Sequence, residues 1–214
     1  VADAVDPAQT DDNFPQKLFQ ALAYTGDGNT TRSLTLNFKP DWTWLKQRSH
    51  TYQHILYDTN RTYATLKALS PDGNWAEGGG GDNSGNGYLS SSDSSGFSVN
   101  RGTNTSAGTS LTNTSSTTYA SWHWKEGADY GLDIVTYTGS SNESYGHGLD
   151  SAPEMILVKA RNYAHNWAVY HQGLQDSTAN GFLELNTTAA KQTGSQPRFL
   201  NGTTSTSQPT NTVF

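Results

Sequence analysis

One stretch of this chain occurs twice, and any fold proposed for it must serve both copies. Residues 19–57 match residues 132–170 in a single gapless register, 113 positions apart. Tyr24-Thr25-Gly26 recurs as Tyr137-Thr138-Gly139. Asn29, Leu36, Pro40, Lys46, Arg48 and Tyr57 recur as Asn142, Leu149, Pro153, Lys159, Arg161 and Tyr170. Apolar character is kept where identity is not: Phe19, Leu22, Trp42, Trp44, Leu45 and Leu56 stand opposite Leu132, Val135, Met155, Leu157, Val158 and Val169. Self-similarity at a fixed period means that one supersecondary unit is built more than once. Beyond residue 57 the offset reads as 117, which sets Leu66 against Leu183 and Phe97 against Phe214 and places about four additional residues of the second copy near Gln172 to Asn180. After Phe97 the first copy runs on to Tyr119-Ala120-Ser121-Trp122-His123-Trp124-Lys125, for which the second copy has no counterpart. A sheet without its closing strand exposes unpaired backbone groups, so that strand is expected from a continuation past Phe214 or from another chain.

Within each copy the local signal is strand. Trp42 and Trp44 share one face at period two, as do Trp122 and Trp124, and Trp167, Val169 and His171 repeat the pattern of His54, Leu56 and Asp58. Phe14, Leu18 and Leu22 have helical spacing, but their repeat partner, Gly131 to Tyr137, is β-branched and reads as strand. Short strands separated by Gly, Asn, Ser and Asp turns predict an all-β chain of two tandem antiparallel β-sandwich repeats, jelly-roll or concanavalin-like. The boundaries expected are an N-terminal extension over 1–18, repeat 1 over 19–128, and repeat 2 over 129–214 with its closing strand missing. Residues 72–116, with Gly78 to Gly81 and long Ser/Thr/Asn tracts, read as surface loop around one strand at Phe97 and Val99.

Composition narrows the function. The chain has 214 residues, a net charge of −6 and 11% aromatic residues, so a thin, aromatic-rich core is expected. A pI near 5.4 without a Lys/Arg cluster argues against nucleic-acid binding, and no run of about 18 apolar residues offers a membrane span. There is no Cys, hence no disulfide, thiolate metal site or thiol nucleophile. The sequence opens at Val1 without a charged, apolar leader and reads as a processed product or an internal piece of a longer polypeptide.

Motifs for catalysis are weak. Asp82 to Gly87 with Asp93 partly fits a calcium loop, but position 12 is Asp rather than Glu, and a Gly/Asn loop is the better reading. His50, His54, His123, His147, His165 and His171 lie in no metal-ligand spacing, and Gly146-His147-Gly148 shares only its glycines with an oxyanion loop. Asp133, Glu143, Asp150 and Glu154 could pair for glycoside hydrolysis only if the fold set two of them about 5–9 Å apart. The seven Asn-x-Ser/Thr sequons are what so Asn- and Ser/Thr-rich a chain produces by chance. We expect no enzyme activity, no cofactor and no metal. The Trp-x-Trp pairs read as core, so that Trp44→Ala should cost about 3–5 kcal/mol. The binding candidates are Trp75 and Tyr88 in the Gly-rich loop, and the turn where His50 and Tyr52 correspond to Tyr163 and His165. These serve receptor contact or contact between subunits.

Asp133 to Gly139, Gly146 to Leu149, Ala152-Pro153, Met155 to Lys159 with Arg161, Trp167 to His171 and Leu183 to Thr188 together resemble the repeat of large virion proteins of marine tailed bacteriophages. The first copy fits through Tyr24 to Gly26, Phe38 to Pro40, Trp44 to Lys46 with Arg48, Asp93 to Ser98 and Tyr119 to Trp122. The resemblance spans residues 19–214 and departs from the pattern at Ser140-Ser141, where a Gly is usual. It implies a concanavalin-like β-sandwich in a virion structural protein, a tail fibre or appendage touching the host surface or neighbouring subunits, and it brings no catalytic residues. The partners expected are other virion proteins, copies of the chain in a trimer and a host-surface glycan, with neither nucleic acid nor membrane insertion. The alternative is a soluble carbohydrate-binding module or lectin of a marine bacterium.

Overall fold

A computed structural model describes residues 15–104, 110–140, 143–175, 181–193 and 208–214. Seven strands precede residue 125: β1 (Phe19–Thr25), β2 (Thr31–Thr35), β3 (Trp42–Gln47), β4 (Ile55–Asp58), β5 (Tyr88–Asp93), β6 (Gly96–Asn100) and β7 (Thr118–Trp124). Four follow: β8 (Met155–Val158), β9 (Ala168–His171), β10 (Gly181–Glu184) and β11 (Gln192–Thr193). They form three antiparallel sheets, ordered β1-β7-β3-β4, β2-β6-β5 and β11-β10-β9-β8. The chain is therefore all-β. Among the described residues no helix is long and apolar enough to cross a membrane.

The first two sheets share one core. Tyr24, Leu45, Ile55, Tyr57 and Tyr119 from the four-stranded sheet pack with Leu34, Leu89, Phe97 and Val99 from the three-stranded one. The helical spacing of Phe14, Leu18 and Leu22 yields to the strand signal of the repeat, since Phe19–Thr25 is β1 and only Pro15–Lys17 forms a 3-10 turn.

The Trp-x-Trp pairs are not part of that core. In β3 the buried residues are Thr43, Leu45 and Gln47, and Trp42 and Trp44 lie half-buried on the opposite face. In β7 the buried ones are Tyr119, Ser121 and His123, with Trp122 and Trp124 on the other side. Strand periodicity groups residues by face but does not say which face is inside. Several polar groups of the inner parity bond one another: the Thr43 hydroxyl lies 2.9 Å from the Tyr63 hydroxyl and 3.0 Å from His123 Nδ1, and His123 Nε2 lies 2.8 Å from Ser121 Oγ.

The repeat is visible in the strand ladders. Trp42, Thr43, Trp44 and Leu45 face Asp58, Tyr57, Leu56 and Ile55. Met155, Ile156, Leu157 and Val158 face His171, Tyr170, Val169 and Ala168, which is the same register moved by 113. The later offset of 117 is corrected by the pairing. Leu56 bridges Leu69, whereas its counterpart Val169 pairs with Leu183, so Leu183 takes the place of Leu69 rather than Leu66. Ser33 pairs with Ser98, and its counterpart Gly146 bridges Val213, so Phe214 takes the place of Val99 rather than Phe97. Runs of Leu and Phe at short spacings allow several offsets, and only the ladder distinguishes them.

The strand expected at Gly131 to Tyr137 is not formed. Leu132 makes an isolated bridge to Gly127, and residues 133–139 have no ladder. In the first half the matching strand β1 has a single neighbour, β7, and among the described residues the second half has no strand beside 132–138. Strand propensity without a ladder partner leaves backbone groups unpaired, so the segment stays irregular.

Candidate functional site

The outward face of the four-stranded sheet carries a row of aromatic rings. Phe19 and Trp124 have centroids 5.0 Å apart, Trp124 and Trp42 4.5 Å, Trp42 and Trp44 6.3 Å, and Trp44 and Trp122 6.4 Å. The Trp44 indole N–H donates to His54 Nδ1 at 2.8 Å. Burial, opposed in part by the Asp72 carboxylate and aided by Lys46, holds the His54 imidazole below its usual range, which keeps that nitrogen free to accept.

Part of this face is covered by the second half. Leu56, Leu69 and Trp42 pack with Trp167 and Leu157, and the Trp167 indole donates to the Ser70 carbonyl at 2.9 Å. Where the cover stops, a cleft of about 490 Å³ opens. It is lined by Trp42, Trp44 and Trp124, by residues 131–137 and by Met155 to Lys159. Three of the chain's exposed large hydrophobic residues, Tyr137, Met155 and Leu185, line it.

A charged cluster ties the halves together beside the cleft. Arg61 binds Asp58 at 2.6 Å, and Glu77 accepts from Lys67 at 3.0 Å and, across the halves, from Arg161 at 2.6 Å. Burial would raise the Glu77 carboxyl, but the hydrogen bonds from Arg161 and Lys67 and the Arg61 charge outweigh it and hold the group below the usual carboxylate range. The stability this contributes is complete above the ordinary Glu range and is lost as the pH falls through the lowered value.

The residues singled out in the sequence separate into two groups. Trp75 and Tyr163 are exposed, at 43% and 57%, and their segments are joined by backbone bonds from His165 N–H to the Asn74 carbonyl and from Glu77 N–H to the Arg161 carbonyl, each 2.8 Å. Tyr163 and His165 meet edge to face at 6.1 Å. Trp75 owes its position to Gly73, where an added Cβ would lie 2.0 Å from the indole ring. Tyr52 and Tyr88 are instead half-buried against the first core, and exposed His50 offers its carbonyl to Lys46 Nζ at 3.3 Å. The calcium-loop reading fails at its first position: Asp82 is fully buried and accepts from the Tyr57 hydroxyl and from the Lys67 and Ala68 N–H groups at 2.7–2.8 Å.

The cleft itself was missed by reading the Trp pairs as core. A signal was present: Trp42 and Trp44 align with apolar Met155 and Leu157, so the same face is apolar in both copies. The other parity, with Thr43 and Gln47, reads as polar. A family model described as a domain of unknown function (DUF7483) matches residues 14–213. No curated protein and no solved structure matches the chain.

Proposed function

We propose that this chain, which belongs to the DUF7483 family, is a structural component of a tailed-bacteriophage virion. It would be built of two tandem concanavalin-like β-sandwich repeats and used for contact with neighbouring subunits and the host surface rather than for chemistry. The observation that carries this reading is the apolar outer face. Trp42 and Leu56 in one copy and Leu157 in the other meet back to back, away from each copy's own sheet interior. Repeats that bury a second face against a neighbour suit an extended assembly. The buried ionisable groups support contact over catalysis: both His123 ring nitrogens lie within hydrogen-bond distance of Thr43 and Ser121, and Asp82 Oδ2 accepts from Tyr57 and from the Lys67 and Ala68 N–H groups, all inside the fold. The virion location comes from the sequence resemblance over residues 19–214. Particles purified from a lysate of the encoding phage should contain the chain, with gold-labelled antibody decorating an appendage. Recovery only in the particle-free fraction would overturn the proposal.

A carbohydrate-binding module is the second reading, favoured by the exposed Trp75 and Tyr163 on joined segments, since flat aromatic faces suit sugar rings. A glycan-array signal lost in both Trp75→Ala and Tyr163→Ala, with unchanged thermal stability, would establish it. An array without signal would remove it.

A further inference from the structure

We infer that Trp75, Asp72 and His54 form a subsite for a neutral saccharide, with the indole as stacking platform, Asp72 as hydroxyl acceptor and His54 as hydroxyl donor. The inference rests on the carbohydrate-binding reading and gives it a ligand class.

The tautomer of His54 is fixed by its partner. An indole N–H only donates, and the Trp44 N–H lies 2.8 Å from His54 Nδ1. Nδ1 therefore carries no proton, and the neutral ring holds its hydrogen on Nε2. Burial keeps the ring neutral by holding the imidazole below its usual range. Nε2 has no partner among the described residues and is not one of the buried unpartnered atoms, so its N–H meets solvent.

Asp72 is anchored by the same residue. Its Oδ1 accepts from the His54 backbone N–H at 3.1 Å, while Oδ2 has no partner among the described residues and the residue is exposed. The carboxylate acts electrostatically on both His54 and Lys46, which sets the acceptor beside the donor. Lys46 serves the backbone: its Nζ donates to the Gln47 and His50 carbonyls at 2.8 and 3.3 Å and so steadies the turn that leads to His54.

Trp75 lies three positions beyond Asp72 and supplies the platform. Its indole rests on Gly73, where an added Cβ would come within 2.0 Å of the ring, and the residue is nevertheless 43% exposed. The electron-rich face of an indole suits the polarised C–H groups of a sugar ring. A few fixed polar groups beside such a surface then select the ligand. A uronate or sulfate placed against Asp72 would be repelled by its charge, so the subsite takes a neutral pyranose.

The whole chain is applied to an array of neutral hexopyranose oligosaccharides with uronate and sulfated members beside them, and the strongest neutral member is titrated calorimetrically. Binding confined to neutral members is expected. Asp72→Asn keeps an oxygen for the His54 N–H but removes the charged acceptor, and should weaken binding about tenfold or more at an unchanged melting temperature. His54→Ala should weaken it about fivefold. His54→Gln, whose amide N–H can stand where Nε2–H does, should restore most of that loss. The inference is overturned if Asp72→Asn or His54→Ala binds as the parent does, or if uronate or sulfated members bind best. When Trp75→Ala and Tyr163→Ala still abolish the signal in that case, the carbohydrate-binding reading survives the failure. An array without signal removes both.

Discussion

Thr43 and Trp44 are adjacent in one strand, and the smaller, more polar residue is the one inside. Leu45 is 1% exposed and packs in the first core, whereas Trp44 is half-buried on the cleft wall. Leu45→Ala should therefore cost about 2–5 kcal/mol, the range for opening a core cavity. Trp44→Ala should cost about 2 kcal/mol, because only part of its area leaves water. Urea denaturation of both variants checks the order, and a larger loss for Trp44 would return the Trp pairs to the core. Burial pushes the His123 imidazole down to about 3 from an ordinary 6.5. Between those values the unfolded chain binds more protons than the folded one, so stability is complete above about pH 6.5 and falls as the pH drops towards 3. At about 1.4 kcal/mol per unit, the loss across that window is on the order of 5 kcal/mol. Denaturation midpoints of the parent and His123→Asn should converge in acid. Parallel curves would show that another group titrates.

A strand in this chain forms where two conditions meet, a suitable pattern and a neighbour to pair with. Residues 19–25 and 132–138 are counterparts, yet only the first are strand, because only they lie beside β7. Amide exchange in residues 132–138 should accordingly be about a hundredfold faster than in 19–25 in the isolated chain. Equal protection would mean that the second segment has found a ladder of its own. The same dependence limits what a sequence shows at this scale. The correspondence of β3 and β4 with β8 and β9 was legible because identical and apolar residues recur at a fixed spacing, and their pairing repeats it. The positions of Leu183 and Phe214 were not, since sparse apolar residues in polar sequence fit several offsets and backbone pairing selects one.

At the scale of the whole molecule two dissimilar side-chain devices join the halves beside the backbone bonds of residues 74–77 with 161–165. Trp167, 3% exposed, inserts between the outer faces and bonds to Ser70, while Arg161 reaches Glu77 from a half-exposed position. Trp167→Ala should cost about 3–5 kcal/mol and split thermal unfolding into two transitions, as expected when a buried aromatic contact between units is deleted. Arg161→Ala should cost no more than about 1 kcal/mol, because a partly exposed ion pair gains little over water and Glu77 keeps Lys67 and Arg61. Calorimetry separates the two, and a single unshifted transition in Trp167→Ala would show that the halves are held elsewhere.

By itself the sequence determined that the chain is all-β, that one unit is written twice, where most of the first half's strands lie, and that Trp75 and Tyr163 belong to exposed turns. Each of these follows from periodicity, turn residues and self-similarity, which are local properties or direct comparisons of residues. Only the tertiary structure decided which side of each strand is the inside, that the segments of Trp75 and Tyr163 are joined, and that residues 133–138 lack a ladder. Alternation has two parities of equal standing along a strand. The choice between them is made by what packs on each face and by which buried polar groups find partners, and both are set by residues far away in the chain.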